Sequence, residues 1–343
     1  MRSPEVVIIV LIHVLFTFTQ LRGQTETLNQ PGGPNRPDVR SNLCVEQTEK
    51  TIVIRQGRRD ILTYNIVSPR VPEGIDPIYA RSGCLHPVQS PTGQTVTQMF
   101  PVDHPHQHGV FSAWVKTKYD GQDVDFWNLA KRTGLVMHER VISTFQESDA
   151  AGFEVDLLHR STVGKPVDVL RERWKIKVYS TGNAYHCFDL ESTQQAITDE
   201  PLVIAKYHYG GMVFRGRTSW LNAKDRYIKE HPDLAVEPSR FLNDAGSDRL
   251  KGNHEHSNWV AFTGSLANKL VSITVLSHPE NFRAPQAARL HPSKPYFCFA
   301  PCVDGQFTID REHPFKARYR YLITDDEPDA KWIETQWQEW TGK

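Results

Sequence analysis

The stretch from Leu170 to Tyr179, which reads LRERWKIKVY, decides the fold class. Its basic residues, from Arg171 to Lys177, fall at every second position, and apolar residues such as Trp174 and Ile176 occupy positions between them. Side chains of a β-strand point alternately to its two faces. The stretch therefore predicts a strand with one solvated and one buried face.

Similar strand-like runs surround this stretch, separated by short breaks rich in Gly, Pro and Asn, with hardly any helical periodicity. The predicted strands are Thr51–Arg55, Asp60–Ile66, Val110–Lys116, Val136–Phe145, Phe153–His159, His186–Ser192, Leu202–Tyr209, Trp259–Gly264, Lys269–Leu276 and Phe315–Ile323. Residues 218–252 are predicted to be loop-like. The tail after Pro328 carries Trp332, Ile333, Trp337 and Trp340 at helical spacing. We therefore predict an all-β fold, a large antiparallel β-sandwich with a short C-terminal helix.

The first residues have the form of a secretory signal. Met1 and Arg2 precede an apolar run from Val6 to Phe16, which is shorter than the roughly 20 residues of a spanning helix. We predict a signal peptide over residues 1–23, a flexible Gln-, Asn-, Pro- and Gly-rich linker over 24–43, and a single domain over 44–343. Secretion or a periplasmic location follows, with no stable membrane span after cleavage; an uncleaved N-terminal anchor is the alternative.

Composition narrows the choice of partners. Among 343 residues, Lys and Arg balance Asp and Glu at 40 each, so nothing in the total charge favours nucleic acid as a partner. The oligomeric state stays open. The five cysteines, an odd number, are Cys44, Cys84, Cys187, Cys298 and Cys302. Cys298 and Cys302 are near enough in sequence to close a small loop, and five buried thiols are the alternative.

The segment Asp103-His104-Pro105-His106-Gln107-His108-Gly109 is the main candidate for chemistry. Three histidines alternate, and in an extended segment all three would share one face. They could serve as general acids or bases, because imidazole titrates near neutral pH. They could also bind a divalent metal, although no glutamate follows within Phe111–Lys118 and Pro105 bends the segment. We expect no cofactor, with a divalent metal as the alternative.

A second cluster follows shortly after the histidines. Asp123, Asp125 and Trp127 alternate and are predicted to share a face, where carboxylates would accept sugar hydroxyls and the indole would cover a pyranose ring. Arg215, after a Gly-Gly pair, and His278 with Asn281 lie at predicted strand ends, where loops commonly carry sites. The substrate-binding candidates are Asp103, Asp125, Trp127, Arg215, His278, Asn281 and Arg289.

Five ordered motifs resemble one family. They are the Asp103–Gly109 segment, VDFW at 124–127, GGMVFR at 210–215, SHPEN at 277–281 and RYRY at 318–321. The set is similar to the uncharacterised bacterial PmoA-like family, whose pattern is DHPHxRG followed by GVDFW, and covers roughly Thr51 to Trp340. His108 stands where that family usually has Arg, and Gln122-Asp123 replaces the usual small residue before Val124.

The resemblance implies a galactose-mutarotase-like β-supersandwich, a fold common among carbohydrate epimerases, lyases and hydrolases. The label suggests a methane monooxygenase subunit, but no internal stretch is apolar enough to span a membrane. We therefore predict an enzyme that acts on a carbohydrate by proton transfer, with His104 and His106 as acid and base and His108 as the exposed third imidazole. A metal-dependent lyase or hydrolase using all three histidines, and a non-catalytic carbohydrate-binding protein, are the alternatives.

Overall fold

Two large antiparallel sheets and one small one make up residues 42–343, the part of the chain that the computed structural model describes. The predicted signal peptide lies outside the described residues, as does the predicted linker up to residue 41. In chain order the strands are β1 (Leu43–Gln47), β2 (Thr51–Gln56), β3 (Arg59–Asn65), β4 (Leu85–Val88), β5 (Val110–Ala113), β6 (Thr117–Tyr119), β7 (Gln122–Val124), β8 (Gly134–Gln146), β9 (Ala150–Ser161), β10 (Val167–Tyr179), β11 (His186–Ala196), β12 (Leu202–Ile204), β13 (Gly211–Arg215), β14 (Ser239–Asn243), β15 (Trp259–Leu266), β16 (Lys269–Ser277), β17 (Ala288–Leu290), β18 (Tyr296–Phe299), β19 (Phe307–Ile309) and β20 (Phe315–Thr324).

Strand order differs from chain order in every sheet. Sheet I runs β1-β2-β3-β4-β5-β13-β18-β17, sheet II runs β14-β15-β16-β20-β11-β10-β9-β8, and sheet III runs β19-β12-β6-β7. Two α-helices, α1 (Arg226–Glu230) and α2 (Ala330–Thr341), and four short 3-10 helices (Pro77–Tyr79, Leu129–Lys131, Thr218–Trp220 and Pro301–Val303) complete the described elements. Sheet I thus brings strands from distant parts of the chain side by side.

The main core lies between sheets I and II. Tyr64 on β3 packs against Phe153 and Trp174 of sheet II, with ring centroids 5.4 and 6.3 Å apart. Farther along, Phe299 on β18 stacks on Tyr319 of β20 at 5.4 Å. Such face-to-face burial of large side chains is what holds two sheets together.

The predicted fold class is confirmed: the described chain is all-β, with large antiparallel sheets and a short C-terminal helix. The alternating stretch from Leu170 to Tyr179 lies within β10, with Trp174 and Ile176 fully buried. The predicted loop over residues 218–252 is corrected, because it contains α1 and β14. Strand β14 pairs with β15 at the edge of sheet II. This strand is formed by a tertiary contact, which its short, mixed sequence does not predict.

Helix α2 packs on sheet II through its predicted apolar positions. Asp329 caps its first turn by accepting from the backbone N–H groups of Lys331 and Trp332, and Gly342 ends it in a left-handed conformation. Ile333 and Trp337 are buried against strands β15, β16 and β20, and the Trp337 indole donates to the Ser277 carbonyl at 2.9 Å. The tryptophans of the tail therefore serve as anchors.

Two further features concern membrane-spanning helices and the cysteines. No helix within residues 42–343 is long and apolar enough to cross a membrane. All five cysteines lie in the described range and all are free, and Cys298 and Cys302 do not form a bridge. Burial raises the pKa of the Cys84, Cys187, Cys298 and Cys302 thiols to about 12. These four thiols are therefore poor nucleophiles at neutral pH.

Glu172 places a carboxylate on the buried face of β10. It accepts hydrogen bonds from His159 Nε2 at 2.7 Å, from the Ser192 hydroxyl at 2.6 Å and from the Trp174 indole at 2.7 Å. Burial opposes ionisation of Glu172, but these hydrogen bonds outweigh it and lower its pKa to about 2. The network joins strands β9, β10 and β11 inside the core.

We predict that Glu172→Gln destabilises the protein at neutral pH by ~3 kcal/mol, the free energy that corresponds to lowering the pKa from 4.5 to about 2. Because the folded-state pKa is lowered, this contribution is present above pH 4.5 and is lost as the pH falls towards 2. Urea unfolding of both proteins across that range measures it. Glu191→Gln, an exposed site on β11, is the control; a Glu172 effect that stays constant with pH contradicts the account.

Candidate functional site

Strand β13 provides the base of the candidate site. Phe214 packs against Phe262 of sheet II, with ring centroids 5.7 Å apart, so Arg215 points to the opposite face of sheet I. Earlier in the strand, Gly211 has a φ of +105°, and a Cβ there would lie 2.7 Å from the Phe299 carbonyl oxygen. Only glycine fits that position. Polar side chains gather on the face of sheet I that points away from sheet II.

Residues 98–109, here called the histidine loop, are fastened to β13 by backbone hydrogen bonds. Gly109 N–H donates to Gln98 O at 2.9 Å and Phe100 N–H to Gln107 O at 3.2 Å, which closes the loop. Gln98 N–H donates to Arg215 O at 3.0 Å, and Arg215 N–H donates to Gly109 O at 2.8 Å. The loop therefore continues the hydrogen bonding of sheet I beside Arg215, at the end of β13.

The backbone turns twice inside the histidine loop. His104 N–H donates to Pro101 O at 2.9 Å, and Gln107 N–H donates to His104 O at 3.0 Å. The prediction that His104, His106 and His108 share one face assumed an extended segment. It is wrong, because consecutive turns rotate successive side chains in different directions.

His108 belongs to the core. Its side chain is fully buried, packs edge-on against Phe100 and Phe111, and has Nε2 2.9 Å from the Tyr79 carbonyl oxygen, to which it donates. Burial lowers its pKa well below the ordinary value. The predicted exposed, catalytic role of His108 is corrected to a structural one, because a ligand in solvent does not reach this ring.

Asp103 and Arg215 form a buried ion pair that joins the histidine loop to sheet I. Arg215 Nη2 donates to Asp103 Oδ1 at 2.6 Å and Nη1 to Oδ2 at 3.0 Å, and neither side chain is exposed. Arg215 also donates to the Gln107 side chain at 2.8 Å and to the Gly216 carbonyl at 2.9 Å. Four of the five guanidinium N–H groups thus donate inside the protein, and Arg215 positions the loop instead of binding a ligand directly.

Asp103 is held as a carboxylate. Burial alone would raise its pKa, but the charge of Arg215 and the hydrogen bonds from His104 and Arg215 hold that pKa well below its usual range. Lys294 Nζ adds a second positive charge 3.4 Å from Asp103 Oδ2. Since an ionised carboxylate only accepts hydrogen bonds, every polar group around Asp103 must donate to it.

His104 is oriented by that carboxylate. Its Nδ1 lies 3.2 Å from Asp103 Oδ2, and the side chain is 29% exposed. Nδ1 therefore carries the proton, and Nε2 of the neutral ring has a free lone pair on the far side. An imidazole held in this way can take up a proton at Nε2 and return it.

His106 stands next to His104 with its ring centroid 5.2 Å away. Within residues 42–343 neither of its ring nitrogens has a hydrogen-bond partner. Burial, followed by the nearby charges of His104 and Arg215, lowers its pKa to about 3. At neutral pH His106 is therefore an uncharged imidazole that offers one donor and one acceptor to a ligand.

The histidines do not assemble a metal centre. Among the described residues, no three His, Cys, Asp or Glu side chains are grouped so that they could hold a metal ion. His108 points into the core while His104 and His106 lie together. The predicted alternative ligand set His104, His106 and His108 is therefore corrected.

The second predicted cluster is divided between surface and core. Asp123 is 82% exposed and pairs with Lys118, whereas Trp127 is 1% exposed, so the predicted stacking of Trp127 on a sugar is corrected. Asp125 is also buried and is occupied internally, since it accepts from the Trp127 and Asn128 backbone N–H groups at 2.9 and 2.8 Å. Its role is to close the turn that packs Trp127 beneath the site.

His278 and Asn281 belong to a different region of the molecule. Asn281 exchanges hydrogen bonds with the Arg318 backbone at 2.9 and 2.7 Å. His278 accepts from the Glu280 backbone at 3.1 Å and packs edge-on against Trp340 of α2 at 5.0 Å. These contacts fasten a loop after β16 to β20 and α2, and the structure does not bring the two residues to the histidine loop.

Residues 291–294 add a group that sequence reasoning missed. Lys294 Nζ lies 3.1 Å from Asp225 Oδ1, in addition to its contact with Asp103. His291 Nδ1 accepts from the Lys294 backbone N–H at 3.0 Å, and burial, then Arg289 and Lys294, lower the His291 pKa to about 3. The available signal was a His-Pro-Ser-Lys-Pro run, which repeats the proline-fixed histidines of the histidine loop.

A row of aromatic side chains extends from Trp127, which packs against Phe111 of β5 with ring centroids 5.2 Å apart. Trp127 packs against Tyr209 and Tyr296 with centroids 4.9 and 6.2 Å apart, and Tyr207 continues the row at 5.0 Å from Tyr209. An open cleft of about 330 Å³ begins at Tyr207 and is lined by Asp125 and Lys131. Buried aromatic surface next to a few fixed polar groups is the usual composition of a small-molecule site.

Comparison with known proteins gives a family and a distant structural similarity. Residues 51–338 match the sequence model of a family described as "Family of unknown function (DUF6807)". This match confirms, at that level, the expectation of an uncharacterised family over almost the same range. No curated protein matches the chain. A solved structure of a kojibiose phosphorylase from human microbiome aligns with 9% identity and a TM-score of 0.33, over 91% of this chain and 35% of that one.

We predict that Asp103→Asn destabilises the protein by about 3–5 kcal/mol, because it leaves the buried Arg215 guanidinium without its counter-charge. His104→Ala removes a partly exposed ring and should lower the free energy of unfolding by no more than about 1 kcal/mol. Chemical denaturation of both variants measures the difference. Asp123→Asn, which changes an exposed carboxylate, is the control. Equal losses of unfolding free energy in Asp103→Asn and Asp123→Asn would contradict a stabilising role of the buried pair.

Proposed function

The chain belongs to the DUF6807 family of unknown function, and we propose that it acts on a carbohydrate by proton transfer, with His104 as the proton-transferring group. The reaction class is epimerisation, β-elimination or glycoside cleavage. The observation that carries the proposal is the chain of contacts from Arg215 through Asp103 to His104, which fixes one partly exposed imidazole on the histidine loop.

A base needs a defined tautomer and a fixed orientation before it can take a proton from a substrate. Asp103 supplies both for His104, and its own charge is secured by Arg215 and Lys294. As Nε2 takes up a proton, the Asp103 carboxylate stabilises the imidazolium that forms. The same ring can then return the proton to the product.

His106 has a different role in this proposal. Its low pKa keeps it uncharged from neutral to mildly acidic pH, so it accepts a hydrogen bond from a sugar hydroxyl or donates one to it. Two neighbouring imidazoles in different environments can thus divide acid–base work and substrate orientation between them. The Tyr207 and Tyr209 rings next to the site offer apolar surface with hydroxyl groups, which suits the mixed faces of a pyranose.

The resemblance of the ordered motifs to PmoA-like sequences, and through them to galactose-mutarotase-like carbohydrate enzymes, points in the same direction. The all-β fold with large antiparallel sheets is compatible with it. A metal-dependent reaction that uses three histidines is not favoured, because His108 is a core residue.

We predict that His104→Ala slows turnover by about a hundred- to ten-thousand-fold, the usual contribution of a positioned acid or base. The measurement is ¹H NMR in D₂O of a panel of monosaccharides, glycosides and oligosaccharides with the purified protein. It follows both product formation and exchange of sugar C–H protons. His106→Ala should weaken binding as well as turnover, since its ring faces the ligand.

His313→Ala is the matched control, because His313 also pairs with an aspartate, Asp310, at 3.0 Å, but is 76% exposed and takes no part in the site. Its turnover should equal that of the unchanged protein. If the unchanged protein and its variants bind sugars but turn none of them over, the catalytic role is wrong and a carbohydrate-binding role replaces it. If His104→Ala retains full turnover, the assignment of the base is wrong.

A further inference from the structure

The charges around the site are almost completely paired. Asp103 pairs with Arg215, and Lys294 lies between Asp103 and Asp225 at 3.4 and 3.1 Å. In the cleft that begins at Tyr207, Lys131 pairs with Asp125 at 2.8 Å. Each of these cations is therefore neutralised by a carboxylate of the protein itself.

Arg289 is not neutralised in this way. It lies in β17, opposite Cys298 of β18. Tyr296 lies two residues before Cys298, on the same face of β18, and is opposite Arg215 of β13. Its guanidinium is therefore on the face of sheet I that carries Arg215 and the histidine loop.

The contacts of Arg289 leave its charge without a counter-charge. Nη1 donates to the Asn253 side-chain oxygen at 2.9 Å, Nε is buried without a hydrogen-bond partner, and no carboxylate within residues 42–343 pairs with the group. A buried N–H without an acceptor destabilises the protein, and more so when the donor is charged. An incoming anion would offset that cost.

Three other arginines also have a buried nitrogen without a hydrogen-bond partner: Arg81, Arg217 and Arg249. Arg217 Nη1 donates to the Thr95 carbonyl oxygen at 3.3 Å, three residues before the histidine loop. Arg81 lies wholly inside the core, with its guanidinium 4.9 Å from the centroid of the Phe111 ring. Arg249 is covered by Phe241 at 5.1 Å. Arg289 is half-buried and lies on the face of sheet I that carries Arg215.

We propose that Arg289 binds the carboxylate of an acidic sugar, so that the substrate of this site is a uronic acid or a glycan that contains one. The inference rests on the proposed carbohydrate site and adds its substrate class. A guanidinium matches a carboxylate through two parallel hydrogen bonds, which fixes orientation as well as charge.

The neighbours of Arg289 suit such a ligand. Burial raises the pKa of Tyr296 to about 12 against the opposing charge of Arg289, so its hydroxyl stays protonated and can donate to an anion. Burial lowers the pKa of His291, and the charges of Arg289, Lys294 and His104 contribute to that shift. A uronate held at Arg289 would lie on the face of sheet I that also carries Arg215 and the histidine loop.

The test is equilibrium binding of sodium D-glucuronate and D-galacturonate, compared with D-glucose and D-galactose, measured by NMR titration of the full chain. We expect each uronate to bind about tenfold or more tightly than its neutral counterpart, the fold-change of one charge-assisted contact. Arg289→Gln should reduce that preference to about twofold or less, and Arg289→Lys should retain part of it, since the charge stays and the fork is lost. Arg249→Gln, another arginine without a carboxylate partner, should leave the preference unchanged.

Three results would overturn the inference: equal affinity for uronates and neutral sugars, a preference that survives Arg289→Gln, or no binding of any of the four probes. Because binding is measured without turnover, a uronate preference can stand even where the proposed catalysis fails. Conversely, turnover of neutral sugars without a preference for uronates contradicts this inference but still supports the proposed function.

Discussion

The buried ion pair between Asp103 and Arg215 is the interaction on which the site depends. Two fully buried charges lose their hydration, and only excellent geometry with further hydrogen bonds compensates for that loss. Here the guanidinium makes two bonds to the carboxylate and others to Gln107 and Gly216. The pair thereby fastens a loop with two tight turns to a strand in the middle of sheet I.

That attachment determines the environment of each histidine in the loop. His104 is oriented by Asp103, His106 has no hydrogen-bond partner among the described residues, and His108 is buried in the core. The first two differ in environment although they are two residues apart, so one can move a proton while the other holds a hydroxyl. Lys294 and Arg289 then set the charge of the site, one inside a carboxylate pair and the other free to meet an anionic ligand.

The sequence predicted more of the fold than of the candidate site. Alternation along β10 and helical spacing along α2 predicted both elements, because each buries a regular face. The same reasoning failed for His108 and Trp127, since alternation says nothing once the backbone turns, as it does at His104 and Asp125. Lys294, which the sequence did not suggest, lies between β17 and β18 and reaches Asp103 only because β18 pairs with β13, and such long-range neighbours leave no local pattern.

The tautomer of His104 tests the account most directly. ¹⁵N NMR of the histidine side chains at a pH where His104 is neutral distinguishes a proton on Nδ1 from one on Nε2. The ion-paired carboxylate of Asp103 predicts the Nδ1–H tautomer for His104. It also predicts loss of that preference in Asp103→Asn, provided that the variant remains folded. A His104 ring protonated mainly on Nε2 in the unchanged protein would contradict the central role of the Asp103–Arg215 pair.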